Sequence, residues 1–309
     1  MFEKIFAAPL QGYTETAWRN AHHNAFGGID AYYTPFVRLE KGEIRNKDRR
    51  ETHPASDTTG CLVPQILASE PDEIRRLTDY LSGLGYSEID INWGCPFPPV
   101  ALKGKGSGIL SHPDKVETLV TEMRNYADIR FTAKMRLGWQ SADEWKQLLP
   151  ILNDSPLQHI TLHPRIGKQQ YKGIVDLDMF QQFYDECRLP LVYNGDLCTL
   201  ENIRQLHVRF PKLKGIMLGR GLLANPALAL ECRNGRPMDN RELLNRTADM
   251  LREIRAYYSQ TIEGGDSQLL QKLKTVWEYL FPDLDKKLRK AILKASTLTA
   301  YDTAVATAL

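Results

Sequence analysis

The sequence predicts an α/β fold, a (β/α)8 barrel carrying a small C-terminal helical domain. Three observations predict it. Eight short β-like runs alternate with helix-length amphipathic segments up to residue 218. Polar or reactive groups stand at seven of the eight strand ends. The strand signal then stops after Ala229 and only helical periodicity follows. Strand–helix alternation repeated eight times favours a closed parallel barrel over an open doubly wound sheet. The length of 309 residues suits a barrel of about 250 residues with an appendage.

The predicted strands are Lys4–Pro9, Ala31–Phe36, Leu62–Leu67, Glu88–Trp93, Arg130–Leu137, Gln158–His163, Leu191–Asn194 and Gly215–Leu218. Several are nearly continuous apolar stretches, as strands covered on both faces should be. Between them the spacing predicts helices over Glu70–Leu84, with Ser69 as N-cap, and over Pro113–Tyr126, Ala142–Leu152, Leu177–Cys187 and Leu200–Phe210. Val37–Gly60 is polar and basic and breaks the rhythm; it reads as an extended loop with room for one short helix. The turn Asn234-Gly235-Arg236-Pro237 divides a catalytic barrel, 1–235, from a helical domain, 236–309, with helices over Asn240–Ser259, Ser267–Leu280 and Lys286–Ala295.

Composition narrows the function classes. Hydrophobic content of 42% with 25% charged residues is that of a soluble globular protein. No apolar run reaches the roughly 18 residues of a membrane helix. The first residues carry no charged-then-apolar leader pattern, so a cytoplasmic protein without membrane contact is expected. The five cysteines, at 61, 95, 187, 198 and 232, form no C-x-x-C pair. That argues against a disulfide framework or a zinc site, and no metal is expected. Net charge is only +2, but residues 233–309 hold 13 Lys and Arg against 10 Asp and Glu, leaving 27 against 28 before them. The basic excess therefore sits in the C-terminal quarter, where it serves either as a phosphate-binding stripe or as a solvated helix face.

The chemistry of such a barrel lies at the C-terminal ends of its strands. These ends hold Pro9-Leu10-Gln11, Gln65, Asn92-Trp93-Gly94-Cys95, Lys134 with Arg136, His163-Pro164-Arg165, Asn194-Gly195-Asp196 and Gly219-Arg220-Gly221. The glycines after the last two strands leave backbone N–H groups open to an anion, and Arg220 adds a charge; tight turns are the alternative. Lys134 on a barrel strand needs an anionic or electron-rich partner, or an internal salt bridge, to offset desolvation. His163 and Gln65 could serve a ligand or satisfy internal groups. Cys95 stands between Gly94 and Pro96 just past a strand end. The Gly104-Lys105-Gly106-Ser107-Gly108 stretch after it is expected to fold over a substrate.

These motifs, in this order, resemble the tRNA-dihydrouridine synthase family, and the C-terminal Lys272-Leu273-Lys274 with Trp277-Glu278-Tyr279-Leu280 looks most like its bacterial C-type subgroup. Ala8-Pro9-Leu10-Gln11-Gly12-Tyr13-Thr14-Glu15 is similar to the family's A-P-M-x-G-x-T-D opening. Ile91-Asn92-Trp93-Gly94-Cys95-Pro96, Lys134-Met135-Arg136-Leu137-Gly138-Trp139, and His163-Pro164-Arg165 with Gln170-Tyr171-x-Gly173 follow. Asn194-Gly195-Asp196 and Gly219-Arg220-Gly221 complete the set over residues 4–230. The chain departs from the pattern at Leu10 (usually Met), at Ile166 (usually Thr) and in the spacing around Ser107 and Gly108.

The resemblance implies bound FMN reduced by NADPH, hydride delivery to C6 of a tRNA uridine, and proton donation to C5 by Cys95. It implies cofactor contacts from Pro9, Leu10, Gln11, Gln65, Lys134, His163, Asn194, Gly195, Asp196, Gly219 and Arg220. Asn92, Arg136 and Arg165 would hold the uracil, and Lys272 and Lys274 the tRNA phosphates, on a monomer. Two other readings stay open: a free-pyrimidine flavin oxidoreductase similar to dihydroorotate dehydrogenase, and a non-enzymatic RNA-binding protein on a flavin barrel.

Overall fold

The computed structural model describes residues 2–309. The barrel strands are β1 (Lys4–Ala7), β2 (Ala31–Tyr33), β3 (Leu62–Val63 and Gln65–Ile66), β4 (Glu88–Trp93), β5 (Arg130–Gly138), β6 (Leu157–Ile166), β7 (Leu191–Tyr193) and β8 (Gly215–Leu218). Every neighbouring pair is parallel, and β8 returns to β1 with Lys4 opposite Gly215. Strand β3 is split by Pro64, which has no N–H for the ladder. Its first piece pairs with β2 and its second with β4, so the two pieces close the ring. All eight expected strands are present.

The apolar residues sort into two cores. The larger lies between strands and helices and contains Ile89, Ile91, Trp93, Leu148 and Leu162. A smaller cluster of Phe6, Ala8, Ala31, Tyr33, Val63, Val192 and Met217 lies apart from it and involves β1–β3, β7 and β8. Alternation along β4 explains the partition: Ile89, Ile91 and Trp93 join the outer core, while Asp90 and Asn92 reach Gln65 and Thr132 on neighbouring strands.

Helix boundaries differ modestly from expectation. Helix Pro71–Gly83 is capped at Glu70; Ser69 instead gives its N–H and hydroxyl to Glu73. The polar Val37–Gly60 stretch contains a two-residue-per-strand hairpin, helix Asn46–Glu51 and a short turn of helix at Pro54–Ser56. Helices Thr16–Ala25 and Leu298–Ala308 are additions to the expected set; the second carries little apolar period in the sequence. From Asn240 onward the chain is helical, in Asn240–Thr261, Gly265–Val276, Lys286–Lys294 and Leu298–Ala308. Among the described residues no helix is long and apolar enough to cross a membrane.

These helices are fastened to the barrel by polar contacts near its mouth. The buried carboxylate of Glu15 accepts from Lys47 (2.5 Å) on one oxygen and from Lys272 (2.6 Å) and Tyr258 (3.2 Å) on the other. Tyr13 donates to Glu278 at 2.6 Å, and Phe281 N–H to the Ala224 carbonyl at 3.0 Å.

Candidate active site

A cleft of about 920 Å3, counted to its open mouth, lies at the C-terminal strand ends. Of the expected site residues, Pro9, Leu10, Gln11, Asn92, Cys95, Lys134, Arg136, His163, Asn194, Gly195, Asp196, Gly219 and Arg220 all line it. Gln65 and Arg165 stand behind the wall, and Lys272 and Lys274 lie in the C-terminal helices.

Cys95 is held through both sides of its backbone. Its N–H donates to Asn92 Oδ1 at 2.8 Å, alongside that of Gly94 at 3.1 Å. Its carbonyl accepts from the Ser107 N–H at 3.0 Å and hydroxyl at 2.9 Å. The stretch expected to cover a substrate therefore packs against Cys95 itself, with Gly106 to Leu110 buried. The unusual glycine spacing has a steric reason. Gly106 has φ +56°, and a Cβ there would stand 2.7 Å from the Cys95 carbonyl oxygen. A Cβ on Gly108 would stand 1.9 Å from the Ala101 oxygen. Burial pushes the Cys95 thiol above its usual value, so it remains protonated at neutral pH.

Lys134 is lowered to about 8 by burial and by the neighbouring Arg136 charge. It lines the cleft, and among the described residues its ammonium donates no hydrogen bond and forms no ion pair, so it is available to a ligand. Arg136 is committed otherwise. It donates to the Gly94, Ile166 and Gln170 carbonyls at 3.0, 3.1 and 2.7 Å, binding the loop after β4 to the loop after β6.

His163 is neutral, and its tautomer follows from its partners. Arg165 can only donate, so His163 Nε2, 3.3 Å away, is the acceptor. Nδ1 then carries the proton and donates to Asn194 Oδ1 at 3.3 Å, while Asn194 Nδ2 donates to the Met217 carbonyl at 2.8 Å. Burial and three nearby cations hold the imidazolium well below its ordinary range. Arg165 is buried in a two-pronged pair with Asp196, whose Oδ1 also accepts from Arg220 at 2.7 Å. Asp196 sits at φ +47°, beside Gly195.

Lys272 is held by Glu15, and Lys274 donates to the Ala295 carbonyl. Lys286, Lys287, Lys290 and Lys294 are the exposed cations of the same region. Tyr171 lies within a quoted motif, yet sequence reasoning does not single it out as a site residue. It lines the cleft, with the guanidinium carbons of Arg220 and Arg136 at 4.7 and 5.4 Å from its ring. Sequence reasoning misses Asp90 as well; an acid set between Ile89 and Ile91 inside a strand is the available signal.

The apolar floor of Ala8, Leu10 and Met217, the open ammonium of Lys134 and the Gly219-Arg220 turn suit a planar, electron-rich cofactor with an anionic tail. Comparison with known proteins gives the family. The family model described as "Dihydrouridine synthase (Dus)" matches residues 6–304. A tRNA-dihydrouridine(16) synthase of Pseudomonas syringae pv. tomato is 30% identical over 234 residues, 73% of each chain. One from Cupriavidus necator is 27% identical over 288 residues, 89% of each chain. The tRNA-dihydrouridine synthase B of Pasteurella multocida is 27% identical, over 73% of this chain and 67% of its own. Among solved structures, morphinone reductase in complex with tetrahydroNAD superposes with a TM-score of 0.53 at 11% identity, over 78% of this chain and 90% of its own. That likeness bears on the barrel fold. With the family model spanning nearly the whole length and the family's motifs gathered around one cleft, this chain belongs to the dihydrouridine synthase family of oxidoreductases.

Proposed function

We propose that the protein reduces the C5=C6 bond of a tRNA uridine to 5,6-dihydrouridine, with FMN as bound cofactor, NADPH as reductant and Cys95 as proton donor. Two relatives matched over 85% and 89% of their length carry the number 16 in their names, which favours the uridine at position 16 as the target. The observation that carries the reading is the pairing of a protonated, backbone-clamped Cys95 with an unpartnered Lys134 in one cleft.

Reduced FMN, when bound, supplies the hydride for C6. Lys134 would hold its electron-rich edge, with Pro9, Leu10, Gln11 and His163 against the ring. Gln65 retains one N–H and one carbonyl lone pair after its two hydrogen bonds. Asn194, Gly195, Asp196, Gly219 and Arg220 would hold the tail and its phosphate. Negative charge builds at C5 and O4 of the uracil as C6 is reduced, and the Cys95 thiol delivers the proton to C5. His163 cannot take that role, because its one proton is engaged by Asn194. Asn92 has a second amide N–H for the uracil, while Arg136 and Arg165 act by holding loops and Asp196 in place. The base must leave the tRNA fold to reach this depth. Residues 236–309 would grip the phosphates through the exposed Lys286, Lys287, Lys290 and Lys294.

The test is mass mapping of tRNA from cells lacking this protein. Loss of dihydrouridine at position 16, restored by the wild-type protein but not by Cys95→Ala, is the expected result. Unchanged dihydrouridine at every position would overturn the reading.

A further inference from the structure

We infer that the buried carboxyl of Asp90 sets the polarity of a hydrogen-bond chain ending on the Cys95 amide, which makes Asp90 and Gln65 positioning residues for the reactive loop. The inference rests on the proposed function only in taking Cys95 as the reacting group; the chain itself is geometric. Thr132 Oγ1 donates to Asp90 Oδ1 and Gln65 Nε2 to Asp90 Oδ2, both at 2.6 Å. Asn92 Nδ2 donates to Gln65 Oε1 at 2.7 Å, and Asn92 Oδ1 accepts from Gly94 and Cys95. Asp90, Gln65 and Thr132 are fully buried.

Each amide in this chain could in principle face either way. Both ends decide. The Gly94 and Cys95 N–H groups can only donate, so Asn92 must present its oxygen to them. Its NH2 then faces Gln65, which must present its oxygen, and the Gln65 NH2 must find an acceptor. An ionised carboxylate accepts only, so Asp90 satisfies that requirement. The orientation leaves the second Asn92 N–H for the cleft it lines. Charge is also balanced: Lys134 is the nearby cation that favours the Asp90 carboxylate, against the burial that lifts it to about 6.

Reversing the chain tests the polarity. Asn92→Asp sets a carboxylate, which can only accept, against Gln65 Oε1. The conflict resolves only if one proton is added to the resulting pair of acids at positions 90 and 92, which is unfavourable at pH 8. Combining Asp90→Asn with Asn92→Asp removes the need. The new amide at position 90 donates to Gln65 Oε1, and Gln65 Nε2 donates to the new carboxylate at position 92. That carboxylate still accepts from Gly94 and Cys95. Asp90→Asn alone is tolerated, because the Thr132 hydroxyl can rotate to accept.

The measurements are a melting-temperature cycle on the four proteins at pH 8 and pH 5.5, and amide exchange of the segment containing Gly94 and Cys95. The expected result is a drop of several degrees for Asn92→Asp at pH 8, narrowing at pH 5.5, with exchange at least fivefold faster. The double variant should recover at least half the drop, lose its pH dependence and restore protection. Additive single effects, or a double variant no better than Asn92→Asp, overturn the inference. If Asn92→Asp does not fold, recovery of folded double variant supports the chain and its failure to fold overturns it. Dihydrouridine formation is not the readout, since a carboxylate at position 92 lacks the N–H offered to the base; failure of the functional reading would appear with Cys95→Ala instead.

Discussion

Ser107 donates twice to one oxygen, giving both its backbone N–H and its hydroxyl to the carbonyl of Cys95. With Gly106 pressed against the same residue at φ +56°, the back of the reactive loop admits little change. Ser107→Ala should lower turnover severalfold while leaving flavin affinity intact, as the backbone bond persists. Gly106→Ala is more severe, because a left-handed φ adds roughly 1–2 kcal/mol to the steric conflict. Melting curves and steady-state rates on tRNA would show the order.

Cys95→Ala should retain FMN and its reduction by NADPH yet lose about 10²–10⁴ in dihydrouridine formation, the usual contribution of a positioned acid. The pH dependence has a definite sign. The donor must be protonated, and burial raises the thiol above 9.0. Activity limited by this step should therefore hold through pH 8 and fall only on the alkaline side. A single-turnover pH profile that falls below pH 8 would contradict the assignment.

Lys134 should trade stability for binding. Its folded value, about 8, lies below the ordinary 10.5. The unfolded chain thus binds this proton more tightly, and the destabilisation is fully present below pH 8 and relieved as pH rises towards 10.5. Lys134→Met should raise the melting temperature of the flavin-free protein at pH 7, with the gain shrinking as pH rises from 8 towards 10.5. The same variant should weaken FMN at least tenfold, measurable by flavin fluorescence quenching.

Glu15 titrates in the opposite sense. Burial works to raise its carboxyl, but hydrogen bonds from Lys272 and Lys47 overcome it and the net shift is downward from 4.5. Its stabilisation is present above that value and lost as pH falls through the lower folded one. Glu15→Gln should destabilise the protein at pH 7 by about 1–2 kcal/mol, less than the ~3–5 of a fully buried pair because both lysines reach water. The gap should close in acid. Because Glu15 also fixes the C-terminal helices, KM for tRNA should rise while FMN affinity stays unchanged.

Lys286, Lys290 and Lys294 are exposed. Replacing all three with Ala should leave the melting temperature nearly unchanged, weaken tRNA binding and flatten its salt dependence, by about one unit of slope for each lost phosphate contact. Binding isotherms at three salt concentrations would measure it.

The barrel was legible because its signal is periodic: β-like runs recur at helix-length intervals, and seven of the eight end in a group that apolar packing does not require. Cys95 and Lys134 stood out for the same reason. What sequence order could not show is which polar groups answer one another. Glu15, Lys47 and Lys272 meet across more than two hundred residues. Lys272 consequently read as a free phosphate ligand although it neutralises a buried acid. Arg136 and Arg165 read as substrate ligands, and the fold adds that each guanidinium also holds loop carbonyls, Arg136 from the cleft wall and Arg165 from behind it. Helix Leu298–Ala308 escaped notice because its Ala- and Thr-rich sequence has little amphipathic period.

Arg136 joins three carbonyls from two loops, one of them the loop that carries Cys95. Neither loop can swing open without abandoning bonds to the shared guanidinium, so the aperture is set before any substrate arrives. Such a rigid receptor does little of the reshaping at encounter, and the deformation falls on the incoming nucleic acid. Selectivity among tRNAs would then track how easily each one yields its base, and a transcript with a loosened elbow should outcompete a compact one without any change in the protein.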